Sequence, residues 1–400
     1  MKRVWWYLTV IGISGQVYAH SETESQVIAT VITHHPQARA LRQVVESESR
    51  LRRSAHALQS PTVFLAPELS AGGVGEQFLL HQPLEMNGAR RARIERAHAD
   101  YTLALAQAQA ELNDLLANAL EAYYEYLYRA QIAAVAEDAL RLAEQTREKV
   151  RLQVEAGVRA GIDLIQAEIE QERVRQYALL RQAEAAIARE QLQAALGGVS
   201  PETLNAVDAR TPPMATPSPD DAPVVRIERA RLQQERAHIQ TLRATGVPDV
   251  GVQIRIERFR GERTRPAFGL SLSLPFVDYG ARQESLRAAQ LRIEAQQGYL
   301  RATQLQANSN IRAAEQRAQQ ARARAEAYRT QILPKAQQLA QSAQIGLESG
   351  QFTLLQLLEA QRTARQVQEE TLQAEMEWKL AEVQLRQQQG AFAVYLEVNR

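Results

Sequence analysis

Apolar residues recur along much of the chain with the spacing of long, closely packed helices. One stretch shows alternating steps of four and three, as in a coiled-coil seam, at Tyr101, Leu105, Ala108, Leu112, Leu115, Ala119, Ala122 and Tyr126. The pattern predicts a helix over residues 88–157 and a counterpart over residues 280–350. At 1.5 Å per residue such a helix is about 100 Å long, several times the width of a compact domain. We therefore expect helices that cannot be enclosed within one globule.

Four further helices complete this pattern. A shorter helix precedes each long one, over residues 37–58 and 224–245, and the chain turns back after a glycine as another helix, over residues 163–196 and 354–389. The result is two long antiparallel helical hairpins. Pro334 lies inside the second long helix. Proline lacks an N–H and clashes with the preceding turn, so it should kink or divide the helix there.

Between the short and long helices, apolar and polar residues alternate with the period of a β-strand. The second half shows this on both sides of a turn near Gly261, with apolar residues at Val250, Val252, Ile254, Ile256, Phe268, Leu270, Leu272, Leu274 and Phe276. This alternation predicts a β-hairpin with one apolar and one polar face. An isolated hairpin of this kind is only marginally stable in water, so other strands should pair with its edges.

The two halves of the chain follow one plan. The stretch "GVRAGIDLIQAE" (157–168) aligns with "GQFTLLQLLEAQ" (350–361) at a spacing of 193 residues, and "QPLEMNGARRARIERA" (82–97) aligns with "LPFVDYGARQESLRAA" (274–289) at a spacing of 192. Two matches at nearly equal spacing indicate an internal duplication. A proline-rich stretch lies between the halves. We therefore divide the chain into a first repeat (20–208), a linker (209–223) and a second repeat (224–400).

Composition and charge narrow the classes of function. The 47 Lys and Arg residues nearly balance the 46 Asp and Glu residues, so the net charge offers no field for nucleic acid. The chain has no cysteine, which excludes disulfides, thiolate metal sites, cysteine nucleophiles and lipidation at an N-terminal cysteine. We predict no metal site and no cofactor, because the adjacent His34 and His35 before Pro36 are typical of a solvated turn.

The N-terminus has the pattern of an export signal. Lys2 and Arg3 precede an apolar run from Val4 to Ile13, and Val17-Tyr18-Ala19 then has small residues at the positions that signal peptidase requires. We predict a signal peptide over residues 1–19. The apolar run is about half the roughly 20 residues that a membrane-spanning helix needs. The exported chain could therefore enter a membrane only as a β-barrel.

Four strands are too few to close such a barrel, since membrane barrels begin at about eight strands. Three copies would supply twelve, which predicts a homotrimer. The first β-hairpin is less regular than the second, because residues 67–83 are too few for two spanning strands of about 9 to 11 residues. A start at Thr62 restores the length but places Pro67 inside a strand. Either that strand is irregular or the barrel is short on one side.

The duplicated plan, the Gln-Pro-Leu-Glu stretch before the long helix and the doubled glycine motif resemble the TolC-type outer-membrane efflux proteins, most closely their CzcC-type heavy-metal branch. The resemblance implies a mainly α fold with a small β part, in which two repeats of long helical hairpins and two β-hairpins form, as a trimer, a 12-stranded outer-membrane β-barrel continued by a periplasmic α-helical barrel. It also implies an outer-membrane channel that receives heavy-metal cations from a periplasmic adaptor and an inner-membrane pump of the resistance-nodulation-division class.

The resemblance further implies which residues carry the function. Both hairpin ends would meet the adaptor, through Gly157, Asp163 and Leu164 in the first repeat and Gly350, Gln356 and Leu357 in the second. Acidic residues narrow the periplasmic entrance in this family, and the matching positions are Asp163 and Glu359. Gln356 stands where the family leads one to expect another aspartate, and Phe352 where some members carry a basic latch residue. The other duplicated motif marks the starts of the long helices, with Pro83 and Gly88 in one repeat and Pro275 and Gly280 in the other.

Other functions have less support in the sequence. We find no nucleophile elbow, phosphate-binding glycine loop or zinc-protease motif, so we do not expect an enzyme. A multidrug or type I secretion channel of the same fold remains an alternative. A soluble exported coiled-coil scaffold or an adaptor is a further one, although an adaptor should carry a single helical hairpin flanked by β-rich domains.

Overall fold

The computed structural model describes residues 16–70, 73–202, 221–259, 263–273 and 279–396. Helices dominate this part of the chain, and four strands accompany them. The elements are α1 (Gln16–His34), α2 (Pro36–Ser54), β1 (Thr62–Ser70), β2 (Gly73–Pro83), α3 (Ala89–Glu155), α4 (Gly161–Ala195), α5 (Pro223–Ala244), β3 (Asp249–Phe259), β4 (Arg265–Ser273), α6 (Ala281–Ala327), α7 (Leu333–Glu348) and α8 (Leu354–Gln389). The prediction of a mainly helical chain with two long hairpins and two β-hairpins is confirmed.

Pro334 divides the second long helix as predicted. A π-helical turn at Tyr328–Ile332 separates α6 from α7, and Pro334 then occupies the first turn of α7. Proline is tolerated there because the first N–H groups of a helix have no partner within it. The wider π-helical turn before it lets α6 continue into α7 without an intervening loop.

Helix α1 was not predicted. Its apolar residues Val27, Ile28, Val31 and Ile32 recur at helical spacing and are all buried. Glu24 anchors this helix to α3 and α8. Its carboxylate accepts hydrogen bonds from the Tyr124 hydroxyl and, at 2.9 Å, from Arg386 Nη1. Burial alone would raise the pKa of Glu24, but these two partners outweigh it and lower the pKa. The carboxylate therefore remains charged at neutral pH.

The four strands form one antiparallel sheet in the order β1-β2-β3-β4. The two hairpins join through β2 and β3, from Gly75 opposite Phe259 to Pro83 opposite Gly251, a pairing that the sequence did not indicate. Strand β1 does begin at Thr62 and contains Pro67, opposite Glu76. It is an edge strand of this sheet, where a missing N–H is tolerated.

The register places apolar residues on one face of the sheet. One row across the four strands consists of Val63, Leu80, Ile254 and Phe268, and the next includes Leu65, Phe78 and Ile256. Gln253, Arg255 and Ser271 lie on the opposite face with His81, whose Nδ1 is 3.1 Å from the Ser271 hydroxyl oxygen. The predicted alternation of apolar and polar faces is therefore present.

The described chain separates into two compact units. Unit 1 takes its described residues from 16–39, 112–202 and 310–396, and unit 2 takes them from 40–111, 221–259, 263–273 and 279–309. Each unit combines segments of both predicted repeats, so the division into repeats at a linker stays a prediction. Most of the predicted signal peptide and linker, with Gly261, Leu274, Pro275 and Phe276, lies outside the described residues.

Within the described part of the chain, no helix combines the length and the apolar character needed to cross a bilayer.

Candidate functional site

The candidate site consists of the two hairpin ends, both within unit 1. We define the first tip as residues 150–170 and the second tip as residues 343–363. Gly157 and Gly350 follow the ends of α3 and α7 with φ values of 71° and 75°. The next N–H groups, of Val158 and Gln351, bond back to the carbonyls of Gln153 and Gly346 at 2.9 and 2.8 Å. Both turns are Schellman motifs, which require the left-handed conformation that glycine adopts without strain.

Below each turn lies the same small apolar core. In the first tip it contains Val150, Val154, Leu164 and Ala167. In the second tip the residues exactly one repeat later form the cluster, namely Ala343, Leu347, Leu357 and Ala360. The leucine and alanine shared by the two motifs therefore hold the return helix against the incoming helix. A plain surface turn would not require them.

The two tips are packed against each other. Leu354 and Leu358 of α8 are buried in the core of the first tip, with exposed fractions of 2% and 5%. One turn further along α8, Arg362 bonds Glu170 of α4 through both carboxylate oxygens, with its Nε 3.0 Å from Oε1. Glu170 is buried, and its hydrogen bonds raise the pKa of Arg362. The pair joins the two hairpins. Because the two residues are 192 positions apart, no local pattern in the sequence indicates it.

The caps of the two tips differ. In the first tip, Arg159 bonds Gln153 at 2.6 Å and forms an ion pair with Asp163 at 3.4 Å. In the second tip, Thr353 and Gln356 form a reciprocal capping box at the start of α8. Phe352 takes the place of Arg159 and packs over Gly346, where an added Cβ would overlap its ring. The departures at Phe352 and Gln356 therefore replace a charged cap with a neutral one.

The predicted site residues differ in their exposure to solvent. Gly157, Gly350, Gln356 and Glu359 are exposed, Asp163 and Leu164 are half-buried, and Leu357 is buried inside its own hairpin. Asp163 forms an ion pair with Arg159 of the same tip. The roles of these residues in adaptor contact and at the entrance stay predictions. Arg159, Glu170 and Arg362 were missed by sequence reasoning.

The other duplicated motif lies in unit 2, at the starts of the long helices. Gly88 and Gly280 precede α3 and α6 with φ values of 82° and 85°. Asn87 caps the first of these helices, its Oδ1 accepting the Ala89 N–H at 3.0 Å. Pro83 ends β2, whereas Pro275 is outside the described residues. The repeated glycine thus serves the abrupt change from strand to helix.

Comparison with known proteins identifies the family. The model of the family described as "Outer membrane efflux protein" matches residues 71–198 and 220–391. The chain belongs to the outer membrane efflux protein family. Its location in the outer membrane and its role as an efflux channel, as predicted from the sequence, are confirmed.

Individual relatives agree with this assignment. The cobalt-zinc-cadmium resistance protein CzcC of Cupriavidus metallidurans is 28% identical over 291 residues, which cover 70% of this chain and 69% of that protein. The nickel-cobalt-cadmium resistance protein NccC of Alcaligenes xylosoxydans xylosoxydans is 28% identical over 255 residues, 61% of this chain and 57% of the relative. The outer-membrane channel OprN has the same fold, with a TM-score of 0.72 at 19% identity over 92% of this chain and 90% of that one.

Among the residues that the structure describes, no group of three or more His, Asp or Glu side chains is arranged to hold a metal ion.

Proposed function

We propose that three copies of this efflux protein form a conduit whose periplasmic end is a ring of six hairpin tips. The proposal rests on one contact between the tips. One return helix makes this contact within the chain, whereas the equivalent face of the other return helix is exposed. Leu358 of the second tip is buried against the first tip. Its equivalent one repeat earlier, Ile165, is 56% exposed.

The duplication indicates what covers the open face. Within the chain, α8 packs onto Val150 and Ala167 of the first tip. By the same relation, α4 should pack onto Ala343 and Ala360 of a second tip, which a neighbouring copy would supply. Ile162, Ile165 and Ile169 form an exposed apolar stripe along the relevant face of α4. A head-to-tail contact of this kind produces a closed ring when the rotation per copy is a simple fraction of a turn.

The sheet supports the same assembly. Four strands with one apolar face leave β1 and β4 as edges within one chain, and open edges are prohibitively unfavourable in lipid. Three copies would join these edges into a closed sheet of twelve strands, as the sequence analysis expects. Both the helical and the β part of the chain thus support the proposed homotrimer.

The cargo and partners are proposed from the relatives. Proteins named for cobalt, zinc, cadmium and nickel resistance match most of the chain, so heavy-metal cations are the proposed substrate. An inner-membrane pump of the resistance-nodulation-division class and a periplasmic adaptor would deliver them, with the adaptor meeting the tips. Asp163 and Glu359 are proposed to line the entrance as carboxylates that attract cations. Growth of a deletion strain in cobalt, zinc and cadmium salts, with and without the gene, tests the substrate class.

Cross-linking tests the assembly directly, because the natural chain has no cysteine. The variant Ile165→Cys/Leu347→Cys, treated with a short bismaleimide in detergent, should give dimer and covalent trimer bands on a denaturing gel. The matched control is Ile187→Cys/Leu347→Cys, since Ile187 is equally exposed on the same helix but lies about six turns away. Monomer bands alone, or equal cross-linking of the control, would contradict the proposed contact.

A further inference from the structure

A second surface of this efflux protein lies in unit 2, at one end of its sheet. The chain connects α2 to the start of β1, the end of β2 to α3, α5 to the start of β3, and the end of β4 to α6. The register pairs Thr62 with His81, Pro83 with Gly251 and Asp249 with Ser273, so these four strand ends lie together. Four helix ends therefore meet at the same end of the sheet. Gln82 also bonds the Gln59 carbonyl at 2.9 Å, which ties the strand to the segment after α2.

Arginine is concentrated at this end. The last turns of α2 carry Arg50, Arg52 and Arg53, and the first turns of α3 carry Arg90, Arg91, Arg93 and Arg96. Some of these have structural partners. Arg93 bonds the buried Glu85 and the carbonyls of Ala55 and Ala57, and Arg91 is paired with Glu95 at 2.8 Å. The bonds of Arg93 to the Ala55 and Ala57 carbonyls join α3 to the segment after α2, and other guanidinium groups are left for a ligand.

Arg52 and Arg53 are two cations at this end whose charges are only weakly compensated. The guanidinium of Arg52 stacks over the Tyr101 ring at 4.3 Å, a contact that positions the charge without neutralising it. Arg53 is 65% exposed and lies 3.7 Å from Glu46, a carboxylate that Arg50 already bonds at 2.9 Å. Both side chains line an open cleft of about 300 Å³ together with His56, His98 and Ile94. Among the residues that the structure describes, this lining contains no carboxylate, which favours an anionic ligand.

We propose that this cleft binds the phosphate of an anionic phospholipid at the membrane surface. The inference rests on the channel lying in the outer membrane with its sheet in the lipid. Guanidinium groups donate paired hydrogen bonds to phosphate oxygens, and the imidazoles add donors beside them. The apolar sheet face is strongly exposed within the subunit, with Phe268 at 79% and Leu270 at 75%. A basic cleft at the end of such a face, with Ile94 in its lining, suits a headgroup whose acyl chains continue along the sheet.

Native mass spectrometry of the purified channel in detergent tests this proposal. With equal amounts of phosphatidylglycerol and phosphatidylcholine, we expect the wild-type protein to retain the anionic lipid preferentially. Arg52→Gln/Arg53→Gln should weaken phosphatidylglycerol binding on the order of tenfold and leave phosphatidylcholine binding unchanged. The matched control is Arg141→Gln/Arg173→Gln, two exposed arginines of unit 1, which should behave as wild type. Arg52→Lys/Arg53→Lys keeps the charge and should retain most of the binding.

Three outcomes of the lipid-binding experiment would overturn the proposal. Equal retention of both lipids by the wild type, or phosphatidylglycerol binding unchanged in Arg52→Gln/Arg53→Gln, would show that the cleft is not a headgroup site. Displacement of the lipid by millimolar inorganic phosphate would indicate a site for the free anion instead. Conductance across a planar phosphatidylcholine film separates the two proposals, since a wild-type protein that binds the lipid but does not conduct would refute only the channel assembly.

Discussion

The two hairpin tips share one core and differ in their caps. Four residues of each core occupy equivalent positions 193 residues apart, and both turns close with glycine in the left-handed conformation. The first tip ends in the ion pair of Arg159 and Asp163, whereas the second ends in an uncharged capping box. Packing was thus preserved where it holds each hairpin together, while polar groups diverged where they face outward.

The outer faces of the return helices differ as well. On α8 this face carries Leu358 and Arg362, which bind the first tip of the same chain. On α4 the equivalent positions are Ile165 and Ile169, both of which are exposed in the subunit. An ion pair would thus orient the contact within a chain, and an apolar stripe would serve the proposed contact between copies. Because a buried ion pair fixes one geometry more than it adds stability, the internal contact should be the more rigid of the two.

The largest effect is expected from truncating the internal contact. Leu358→Ala should lower the free energy of unfolding by about 2–5 kcal/mol, because it leaves a cavity in a fully packed cluster. The loss should appear in urea unfolding monitored by circular dichroism and should not depend on protein concentration. Ile165→Ala is the matched variant, since it changes the equivalent residue on the open face.

Ile165→Ala should leave the subunit almost as stable and should instead promote dissociation of the assembly. Analytical ultracentrifugation in detergent would show this as a concentration-dependent loss of the trimer. Equal concentration-independent losses from both substitutions would contradict the distinction between an internal and an open face.

The next effect concerns the ion pair between the hairpins. Glu170→Gln leaves Arg362 without its charged partner, and we expect a loss of about 1–3 kcal/mol, below the value for a fully buried pair because Arg362 is 40% exposed. Glu348→Gln is the control, since Glu348 pairs with Lys149 across the same hairpins but both side chains are about 60% exposed. That substitution should cost less than about 0.5 kcal/mol. A double-mutant cycle with Arg362→Gln isolates the coupling energy, and a coupling no larger than that of the control would contradict a locking role.

A smaller effect is expected at the helix caps. Thr353→Ala removes the side chain that accepts the Gln356 N–H, and should cost about 1 kcal/mol. The equivalent Ala160 has an extended backbone and no side-chain cap, so Ala160→Ser should recover up to a similar amount. Thermal unfolding of the two variants measures both changes. If Thr353→Ala and Ala160→Ser changed the melting temperature in the same direction, the two helix starts would not be equivalent in geometry.

Local structure was largely predictable from the sequence. The limits of α8 match the predicted helix at both ends, and those of α4 agree to within two residues, because helical periodicity and a terminal glycine are local signals. The division at Pro334 is local in the same sense. Helix α1 was not predicted, although Val27, Ile28, Val31 and Ile32 carry helical spacing.

Contacts between distant segments were not predictable. The pairing of Glu170 with Arg362, and of β2 with β3, depends on how separate elements are placed in space. Periodicity tells which face of a helix is apolar but not which partner covers it. The duplication supplies part of that missing information, because a contact seen once within the chain indicates its counterpart between copies.

The last prediction concerns the charge difference between the tips. Asp163→Ala/Glu359→Ala should reduce the preference of the channel for K⁺ over Cl⁻ in planar bilayers, by about two- to threefold because exposed charges are strongly screened by salt. If the carboxylates act as a ring, the effect should grow at low ionic strength. Selectivity unchanged at both salt concentrations would exclude these residues from the entrance.

Arg159→Gln provides the opposite control. Arg159 lies 3.4 Å from Asp163 and compensates its charge, so removing the guanidinium should raise the cation preference rather than lower it. In the second tip, Phe352→Gln removes no charge and should leave selectivity unchanged. Because the same cap position would then affect selectivity in one tip and not in the other, the two variants together tell whether charge at this position contributes to the field at the entrance.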